Sequence, residues 1–395
     1  MFTWRDTPVW TAARVAGYVT LARLRRSRCT RRDEVPASVN ALTPAWWTAI
    51  MCEACPGAEV RGYTIVGASS GTHQRHRFVL EYNAAGQQAG LPTAVFTKTL
   101  PNVLTRMIGG YNGTARAEGR FYRECRPTLD IESPQGYHTA FDRRSLAGIN
   151  VLEDIATTRD ASFCDHRTYV TRDMAESMVD LLAHLHGRAY ADPRLDREWR
   201  WLANFADWFE IGARKMQTEH YTEQAIQRLA ERLPRAVVDR AAEIWPATLA
   251  ASAIHRQGPC GLLHSDVHIG NWYRHGNGAM GLCDWQCVAQ GHWSRDVAYA
   301  LSAALTTEDR RRWERPLLAR YLETLSSVAG VKLDAEQAFV LYRQQMLHAL
   351  WMWTITLCHS RWLPAMQPED TSMLMIERIA SAIDDLESLD AVQRG

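Results

Sequence analysis

The sequence predicts an α+β protein in which an antiparallel sheet comes first along the chain and a larger, mainly helical part follows. Three short apolar runs bounded by turn residues predict strands at 63–66, 78–82 and 93–100, with a loop between the last two. Farther along, apolar residues recur at helical spacing, as at Met174, Met178, Leu181, Leu182 and Leu185. We therefore expect a helical extension at 1–58, a sheet-containing lobe at 59–155 and a helical lobe at 156–395.

The composition is that of a protein with a sizeable core and no strong net charge. Of its 395 residues, 46% are hydrophobic and 23% charged, and the formal net charge at pH 7 is +1. A balance this close to neutral argues against a nucleic-acid partner. The nine cysteines form no regular framework, which indicates reduced thiols. With neither a secretory signal nor an apolar stretch of roughly 18 residues, we expect a cytoplasmic protein without a membrane span.

An H-x-D-x-x-x-x-N motif, formed by His264, Asp266 and Asn271, is the pattern that points most directly to chemistry. A second aspartate, Asp284, follows thirteen positions after Asn271 and has apolar neighbours. Phosphoryl transfer needs a carboxylate that accepts the proton of the attacking hydroxyl and oxygen ligands that hold Mg²⁺. Asp266 is thus the candidate base, and Asn271 and Asp284 are the candidate metal ligands. The alternative is that these are ordinary polar residues of loops.

The motifs resemble those of the aminoglycoside phosphotransferase and choline kinase superfamily, and most closely its ecdysteroid-kinase-like (CHK kinase-like) branch. That branch combines H-x-D-x-H-x-x-N with D-W-Q and R-D-x-A-Y, which are matched here at 284–286 and 295–299. The likeness extends from about Gly67 to the C-terminus and departs at Ser265, where the family more often has glycine. The resemblance implies a bilobal, protein-kinase-like fold with ATP and Mg²⁺ between the lobes.

The resemblance also implies a phosphate-binding lysine. Lys98 lies in a strand-like run at 94–98 and matches the lysine that holds the α- and β-phosphates, whose usual partner is a glutamate on the following helix. Glu118 and Glu124 are both candidates, and because they are six residues apart they lie on largely different faces of a helix. The family has its glutamate shortly before a Phe-Tyr pair, which favours Glu118.

Two further segments resemble parts of a nucleotide site. The turn at 67–72 resembles the loop over the phosphates, where glycine lets backbone N–H groups approach an anion, although a glycine-serine hairpin is also common in other settings. Its candidate residues are Ser69, Ser70, Gly71 and Thr72. The segment 152–155, with Glu153 and Ile155, resembles the hinge whose backbone binds adenine. Asp296 resembles the aspartate that braces the catalytic loop.

The acceptor is expected to be a small-molecule alcohol rather than a protein. Protein kinases have an arginine before the catalytic aspartate and a long activation segment after the metal-binding one. Here Ser265 occupies the arginine position, and only eleven residues separate Asp284 from Asp296. A polycationic aminoglycoside would need converging carboxylates and choline an aromatic cage, whereas a lipophilic or steroid-like alcohol would need an apolar wall.

The C-terminal helices slightly favour the lipophilic acceptor, although their large side chains equally suit a helical core. These side chains are Met346, Trp351, Met352, Trp353, Trp362 and Met366. The acidic residues Glu369, Asp370, Glu377, Asp384 and Asp385 are expected to form a solvated face. An antibiotic phosphotransferase acting on aminoglycosides or macrolides is one alternative. A pseudokinase that binds nucleotide without turnover is another, and the presence of Lys98, Asp266, Asn271 and Asp284 argues against it.

Overall fold

A computed structural model of the chain describes residues 8–25, 28–70, 73–111, 113–360 and 365–393. Two compact units are present. The first comprises Met1–Thr128, Pro134–Ala161 and Asp284–Cys287, and the second comprises Leu129–Ser133, Ser162–Cys283 and Val288–Gly395. The first unit contains an antiparallel sheet and the second is mainly helical. This division confirms the α+β fold class predicted from the sequence.

The first unit is built on a five-stranded sheet in which every neighbouring pair is antiparallel, in the order β1-β2-β3-β5-β4. Its strands are β1 (Val60–Ser70), β2 (Gln74–Tyr82), β3 (Ala94–Thr99), β4 (Gly136–Asp142) and β5 (Ala147–Glu153). Its helices are α1 (Pro8–Arg25), α2 (Pro44–Met51), α3 (Ala84–Gln88), α4 (Val103–Tyr111), α5 (Thr114–Arg120) and α6 (Ile155–Thr158). A π-helical turn at Phe121–Cys125 follows α5 directly.

The apolar face of this sheet packs against helix α2. Thr43 caps the helix by accepting a hydrogen bond from Trp46 N at 3.1 Å, and Pro44 occupies the first helical position. Trp46 and Trp47 are fully buried and share one hydrophobic cluster with Phe78 of β2. The N-terminal segment before β1 therefore contributes directly to the core beneath the sheet.

The connection between β2 and β3 differs from the sequence expectation of a loop, because it contains the short helix α3. Asn83 caps this helix through its side-chain oxygen, which accepts a hydrogen bond from Gly86 N at 3.0 Å. Asparagine is favoured at such caps because it satisfies a backbone N–H that has no partner inside the helix. The glycine and asparagine content of this segment thus marks a helix start as well as turns.

The second unit combines long helices with two small sheets. Its strands are β6 (Ser162–Phe163), β7 (Gly261–Leu263), β8 (Trp272–Arg274), β9 (Met280–Leu282) and β10 (Ala289–Gly291). Its longer helices are α7 (Arg172–Arg188), α8 (Phe205–Met216), α9 (Thr218–Arg228), α11 (Ala241–Ala251), α13 (Ser294–Ala304), α14 (Thr307–Ala329), α15 (Ala335–Leu357) and α16 (Glu369–Asp385). Shorter ones are α10 (Arg235–Asp239), α12 (Ile254–Gln257) and α17 (Ser388–Gln393).

Short buried strands position the H-x-D-x-x-x-x-N motif. Strand β7 ends at Leu263, one residue before His264, and β8 begins at Trp272, one residue after Asn271. All three residues of β7 are buried, so the motif starts from a rigid, packed strand. Across the described ranges, no helix combines the length and apolar character needed to cross a bilayer.

Candidate functional site

A row of polar side chains crosses the five-stranded sheet at one level. The residues that lie directly opposite one another, strand by strand, are Ser69, Arg75, Lys98, Asn150 and Thr139. Directly opposed residues have their side chains on the same face of a sheet, so these five share one face. The other face carries Phe78, Val95 and Val151 into the hydrophobic core. The sheet therefore has one apolar and one polar face, with Lys98 in the middle of the polar row.

Lys98 is paired with two carboxylates. Its Nζ lies 3.0 Å from the carboxylate of Glu118 and 2.6 Å from Oδ1 of Asp284. Asn150 Nδ2 donates a hydrogen bond to Glu118 Oε2 at 3.0 Å, which fixes that carboxylate from the neighbouring strand. The side chains of Lys98 and Glu118 are 4% and 1% exposed. The pair is therefore held away from solvent, where removing either partner would leave an uncompensated charge.

Burial and opposite charge act against each other on these three groups. Burial alone would lower the pKa of Lys98, but Asp284 and Glu118 outweigh it and the pKa is raised. Burial alone would raise the pKa of Asp284, but Lys98 holds it well below its usual range. For Glu118 burial prevails, and its pKa is raised. Asp284 is thus the firmly ionised carboxylate, which is the state that binds a divalent cation.

The structure distinguishes the two glutamates that the sequence left open. Glu118, on α5, contacts Lys98, whereas Glu124 forms a salt bridge with Arg120 at 2.6 Å. The next residue, Gly119, lets α5 lie close to the sheet, because a Cβ there would stand 2.1 Å from Thr139 Oγ1. This close approach is what brings Glu118 over Lys98.

Ser69 and Ser70 of the predicted phosphate loop are the last two residues of β1. Ser69 is opposite Arg75 and Ser70 is opposite Gln74 in the β1–β2 pairing. Ser69 therefore belongs to the same polar row as Lys98, two strands away. Gly71 and Thr72, the other two predicted residues, lie outside the described residues.

The predicted hinge residues lie at the end of β5 and the start of α6. The Glu153 backbone N–H donates to Gln135 O at 2.9 Å, and its carboxylate accepts hydrogen bonds from Arg159 Nε at 2.8 Å and Thr158 Oγ1 at 2.7 Å. Ile155 is buried and begins α6. Because the N–H of Glu153 is already used within the protein, adenine binding there would depend on other backbone groups of the segment.

In the second unit, Asp266 is held by side chains of its own loop and of α13. Asn271 Nδ2 donates to the backbone carbonyl of Asp266 at 2.7 Å and lies 3.3 Å from its Oδ2. Tyr299 Oη lies 3.4 Å from Asp266 Oδ1, and His268 Nε2 lies 3.8 Å from Oδ2. Polar side-chain atoms thus lie near both carboxylate oxygens of Asp266 and orient the group, as a proton-accepting group requires.

Asp296 holds the backbone that leads into Asp266. Its carboxylate accepts hydrogen bonds from His264 N at 2.7 Å and Ser265 N at 3.1 Å. Ser265 has a φ of 68°, in the left-handed region that favours glycine. The two hydrogen bonds fix the backbone at this strained position, which explains how serine is accommodated there.

Asn271, in the second unit, and Asp284, in the first, are the two predicted metal ligands. The two hydrogen bonds that the Asn271 amide donates to Asp266 both use its nitrogen, so its carbonyl oxygen is turned away from Asp266. Asp284 is ionised, and Mg²⁺ prefers such hard oxygen ligands, supplemented by water and phosphate oxygens. Among the described residues, no cluster of three or more His, Cys, Asp or Glu side chains has metal-binding geometry.

The sequence analysis did not predict roles for three residues that lie beside the candidate site residues. These are Arg75, Asn150 and His268. Asn150 interrupts the apolar run at 149–152, which is a detectable signal for a polar role. His268 lies within the recognised motif. Arg75 gave no signal, because its place opposite Lys98 depends on strand register, which the spacing of apolar residues does not fix.

Comparison with known proteins identifies the family. Residues 103–331, more than half of the chain, match the model of the phosphotransferase enzyme family. The chain belongs to this family. The matched range of this phosphotransferase includes Glu118, Asp266, Asn271 and Asp284, and it begins just after Lys98. No curated protein matches the chain.

Two solved structures to which this phosphotransferase is similar have low sequence identity with it. A Ralstonia eutropha JMP134 protein classed with the aminoglycoside phosphotransferases is 10% identical, with a TM-score of 0.51 over 87% of this chain and 96% of that one. A choline/ethanolamine kinase family protein from Mesorhizobium loti is 14% identical, with a TM-score of 0.46 over 85% of this chain and 94% of that one. The first of these likenesses supports the kinase-like fold.

Proposed function

We propose that this phosphotransferase transfers the γ-phosphate of ATP to a hydroxyl group of a small-molecule acceptor. The observation that carries the proposal is the buried Lys98, held between Glu118 and Asp284. The same chain has Asp266 and Asn271 in one hydrogen-bonded loop. A lysine, an ionised aspartate, an asparagine and a candidate base are the groups that phosphoryl transfer requires, and pseudokinases usually lack at least one of them.

Each group has a defined part in the proposed reaction. Asp266 accepts the proton of the acceptor hydroxyl while the hydroxyl oxygen bonds to the γ-phosphorus. The bond from that phosphorus to the β–γ bridging oxygen breaks, and ADP leaves. Lys98 binds phosphate oxygens, and Glu118 and Asn150 fix its position. Asn271 and Asp284 would hold Mg²⁺, which when bound neutralises negative charge on the phosphates.

The remaining predicted residues complete the nucleotide site in this proposal. Backbone N–H groups of the turn formed by Ser69, Ser70, Gly71 and Thr72 would face the phosphates. The segment from Glu153 to Ile155 would bind adenine through its backbone. Asp296 would keep the Asp266 loop in place through the two hydrogen bonds that it accepts.

The surroundings of Asp266 favour an apolar acceptor. His268, whose Nε2 lies 3.8 Å from Asp266, packs edge-on against Trp353 with ring centroids 5.3 Å apart. Three acidic residues of α16 pair with arginine: Glu369 with Arg228, Glu377 with Arg232, and Asp385 with Arg310 and Arg311. An aromatic side chain near the candidate base and carboxylates neutralised by arginine support a lipophilic, steroid-like alcohol over a polycationic aminoglycoside.

The placement within the ecdysteroid-kinase-like branch is part of this proposal. It is supported by the D-W-Q and R-D-x-A-Y elements at 284–286 and 295–299. A cytoplasmic location is also proposed, because all nine cysteines are free thiols, as is usual in a reducing compartment.

The proposal is tested by measuring ATP consumption with Mg²⁺ against sterols, choline analogues, aminoglycosides and macrolides. We expect turnover with a lipophilic alcohol and its loss in Asp266→Ala. Asp284→Ala should abolish the magnesium-dependent activity, and normal magnesium dependence in that variant would contradict its assignment. Turnover with an aminoglycoside alone would contradict the proposed lipophilic acceptor and would support the proposed kinase activity. If no acceptor reacts, stabilisation by ATP and Mg²⁺ in a thermal scan would indicate either an active nucleotide site whose acceptor is missing from the panel or a pseudokinase, and no stabilisation would count against nucleotide binding.

A further inference from the structure

Arg75 brings a second cation to the carboxylate that Lys98 contacts. The two residues are directly opposite each other on β2 and β3, so their side chains share one face of the sheet. Lys98 Nζ lies 2.6 Å from Asp284 Oδ1, and Arg75 Nη2 lies 3.7 Å from Asp284 Oδ2. Each oxygen of one carboxylate therefore faces a different cation.

The charges around Lys98 are balanced only when Arg75 is included. Lys98 carries one positive charge against the carboxylates of Glu118 and Asp284. Leaving a buried negative charge without a partner is costly. Arg75 supplies the missing positive charge from the neighbouring strand. A metal cation bound to the carboxylate of Asp284 would leave the guanidinium of Arg75 available to another anion.

The two cations differ in their access to solvent. The side chain of Arg75 is 34% exposed, whereas that of Lys98 is 4% exposed. At 3.7 Å the contact of Arg75 with Asp284 is an ion pair longer than a hydrogen bond, so the N–H donors of the guanidinium are not fixed by it. A planar guanidinium can bind two phosphate oxygens at once, which a single ammonium group cannot do in the same geometry.

Resting on the proposed function, we propose that Arg75 is a second phosphate-binding residue, which together with Lys98 binds phosphate groups of the nucleotide. Ser69 lies on the other side of Arg75 in the same polar row, at the end of the predicted phosphate loop. Arg75 thus lies between Ser69 and Lys98 in the polar row. The competing interpretation is that Arg75 acts only as a counter-ion for Asp284 and never contacts phosphate.

Binding of ADP and of adenosine in the presence of Mg²⁺ separates these interpretations, because adenosine carries no phosphate and Mg²⁺ at Asp284 would replace Arg75 as the counter-ion. Affinities would be measured by calorimetry, first in EDTA and then with Mg²⁺, for the full-length wild type, Arg75→Met and Arg75→Lys. We expect Arg75→Met to weaken ADP binding by about tenfold, the effect of losing one charge-assisted contact, and to leave adenosine binding unchanged. The affinity of Arg75→Lys for ADP should lie between those of the wild type and Arg75→Met, because lysine keeps the positive charge but lacks the planar guanidinium.

Arg61→Met is the matched control. Arg61 lies on β1 of the same sheet and pairs with Glu59 at 3.0 Å, with a well-exposed side chain. Its loss should leave the affinities for both ligands as in the wild type. Thermal midpoints of all variants show whether each is folded.

The outcomes are distinct. A wild type that binds ADP, with an Arg75→Met variant that binds ADP equally well, would overturn this inference and leave the proposed function intact. Equal weakening of ADP and adenosine would assign Arg75 a structural role and would also overturn it. A wild type that binds neither ligand would overturn the proposed function, and the inference with it.

Discussion

The indole ring of Trp285 stacks on the phenyl ring of Phe121, with centroids 3.8 Å apart and planes inclined by 9°. Both rings are fully buried. Trp285 directly follows Asp284, and Phe121 directly follows α5, the helix that carries Glu118. The stack therefore ties together the two segments that supply the carboxylate partners of Lys98.

Trp285→Ala is expected to lower the free energy of unfolding by about 3–5 kcal/mol, because it removes a large buried ring and leaves a cavity against Phe121. Trp285→Phe keeps an aromatic ring in the stack and should cost clearly less. Urea denaturation followed by circular dichroism measures both variants. An alanine variant as stable as the phenylalanine variant would show that the stack contributes little.

Lys98→Met is expected to destabilise the protein by about 3–5 kcal/mol as well as to abolish turnover, because it removes the buried cation that both Glu118 and Asp284 contact. The double variant Lys98→Met/Glu118→Gln also removes the carboxylate charge of Glu118. It should therefore recover part of the stability while remaining inactive.

Thermal scans and urea denaturation of the single and double variants test this relation. Glu124→Gln combined with Lys98→Met is the control, since Glu124 pairs with Arg120 and not with Lys98. If the Glu124 control recovered as much stability as the Glu118 double variant, the specific pairing of Lys98 with Glu118 would be refuted.

Asp266→Asn is expected to cut turnover by roughly two to four orders of magnitude, the usual range for losing a general base. The amide keeps the size of the side chain, so the thermal midpoint and the affinity for ADP should stay close to those of the wild type. Steady-state ATP consumption and ADP calorimetry give the two readouts. Retention of near wild-type turnover would remove Asp266 from the role of base.

Stability is expected to fall as the pH drops below about 6.5, the ordinary pKa of histidine. Burial lowers the pKa of His292 to about 3, and burial and Arg295 lower the pKa of His348 to about 3. Below pH 6.5 the unfolded chain binds protons at these positions and the folded chain does not. Each such histidine thus costs up to about 1.4 kcal/mol of unfolding free energy per pH unit.

His348→Phe should reduce this dependence between pH 7 and pH 5, because the aromatic ring is kept and the titrating group is lost. The ring of His348 packs against Phe209 at 5.1 Å, which makes phenylalanine the suitable replacement. His220→Gln, at an exposed position, is the control and should follow the wild type. Urea midpoints across the pH range test the slope, and an unchanged slope in His348→Phe would contradict the assignment.

The sequence was sufficient for the fold class because the strand-forming runs and the helical periodicity occupy separate parts of the chain. The H-x-D-x-x-x-x-N motif was found because its residues are close in sequence, and the structure joins Asp266 and Asn271 by hydrogen bonds. The assignment of catalytic and metal-binding roles stays a prediction.

Contacts that depend on strand register or helix rotation could not be predicted. Glu118 and Glu124 differ only in which side of a short helical segment they occupy, and the close approach at Gly119 decides between them. Arg75 is far from Asp284 in sequence. It comes near Asp284 because the pairing of β2 with β3 places it opposite Lys98, which contacts Asp284. Apolar spacing carries no information on such pairings.

The polar row across the sheet limits where the chain can change length. Since side chains alternate between the two faces of a strand, inserting or deleting one residue within β2 or β3 would turn Arg75 or Lys98 into the apolar core. The connections at 83–93 and 143–146 lie outside the strands and are free of this constraint. Peptide insertions should therefore be accepted at these two connections and rejected at neighbouring strand positions.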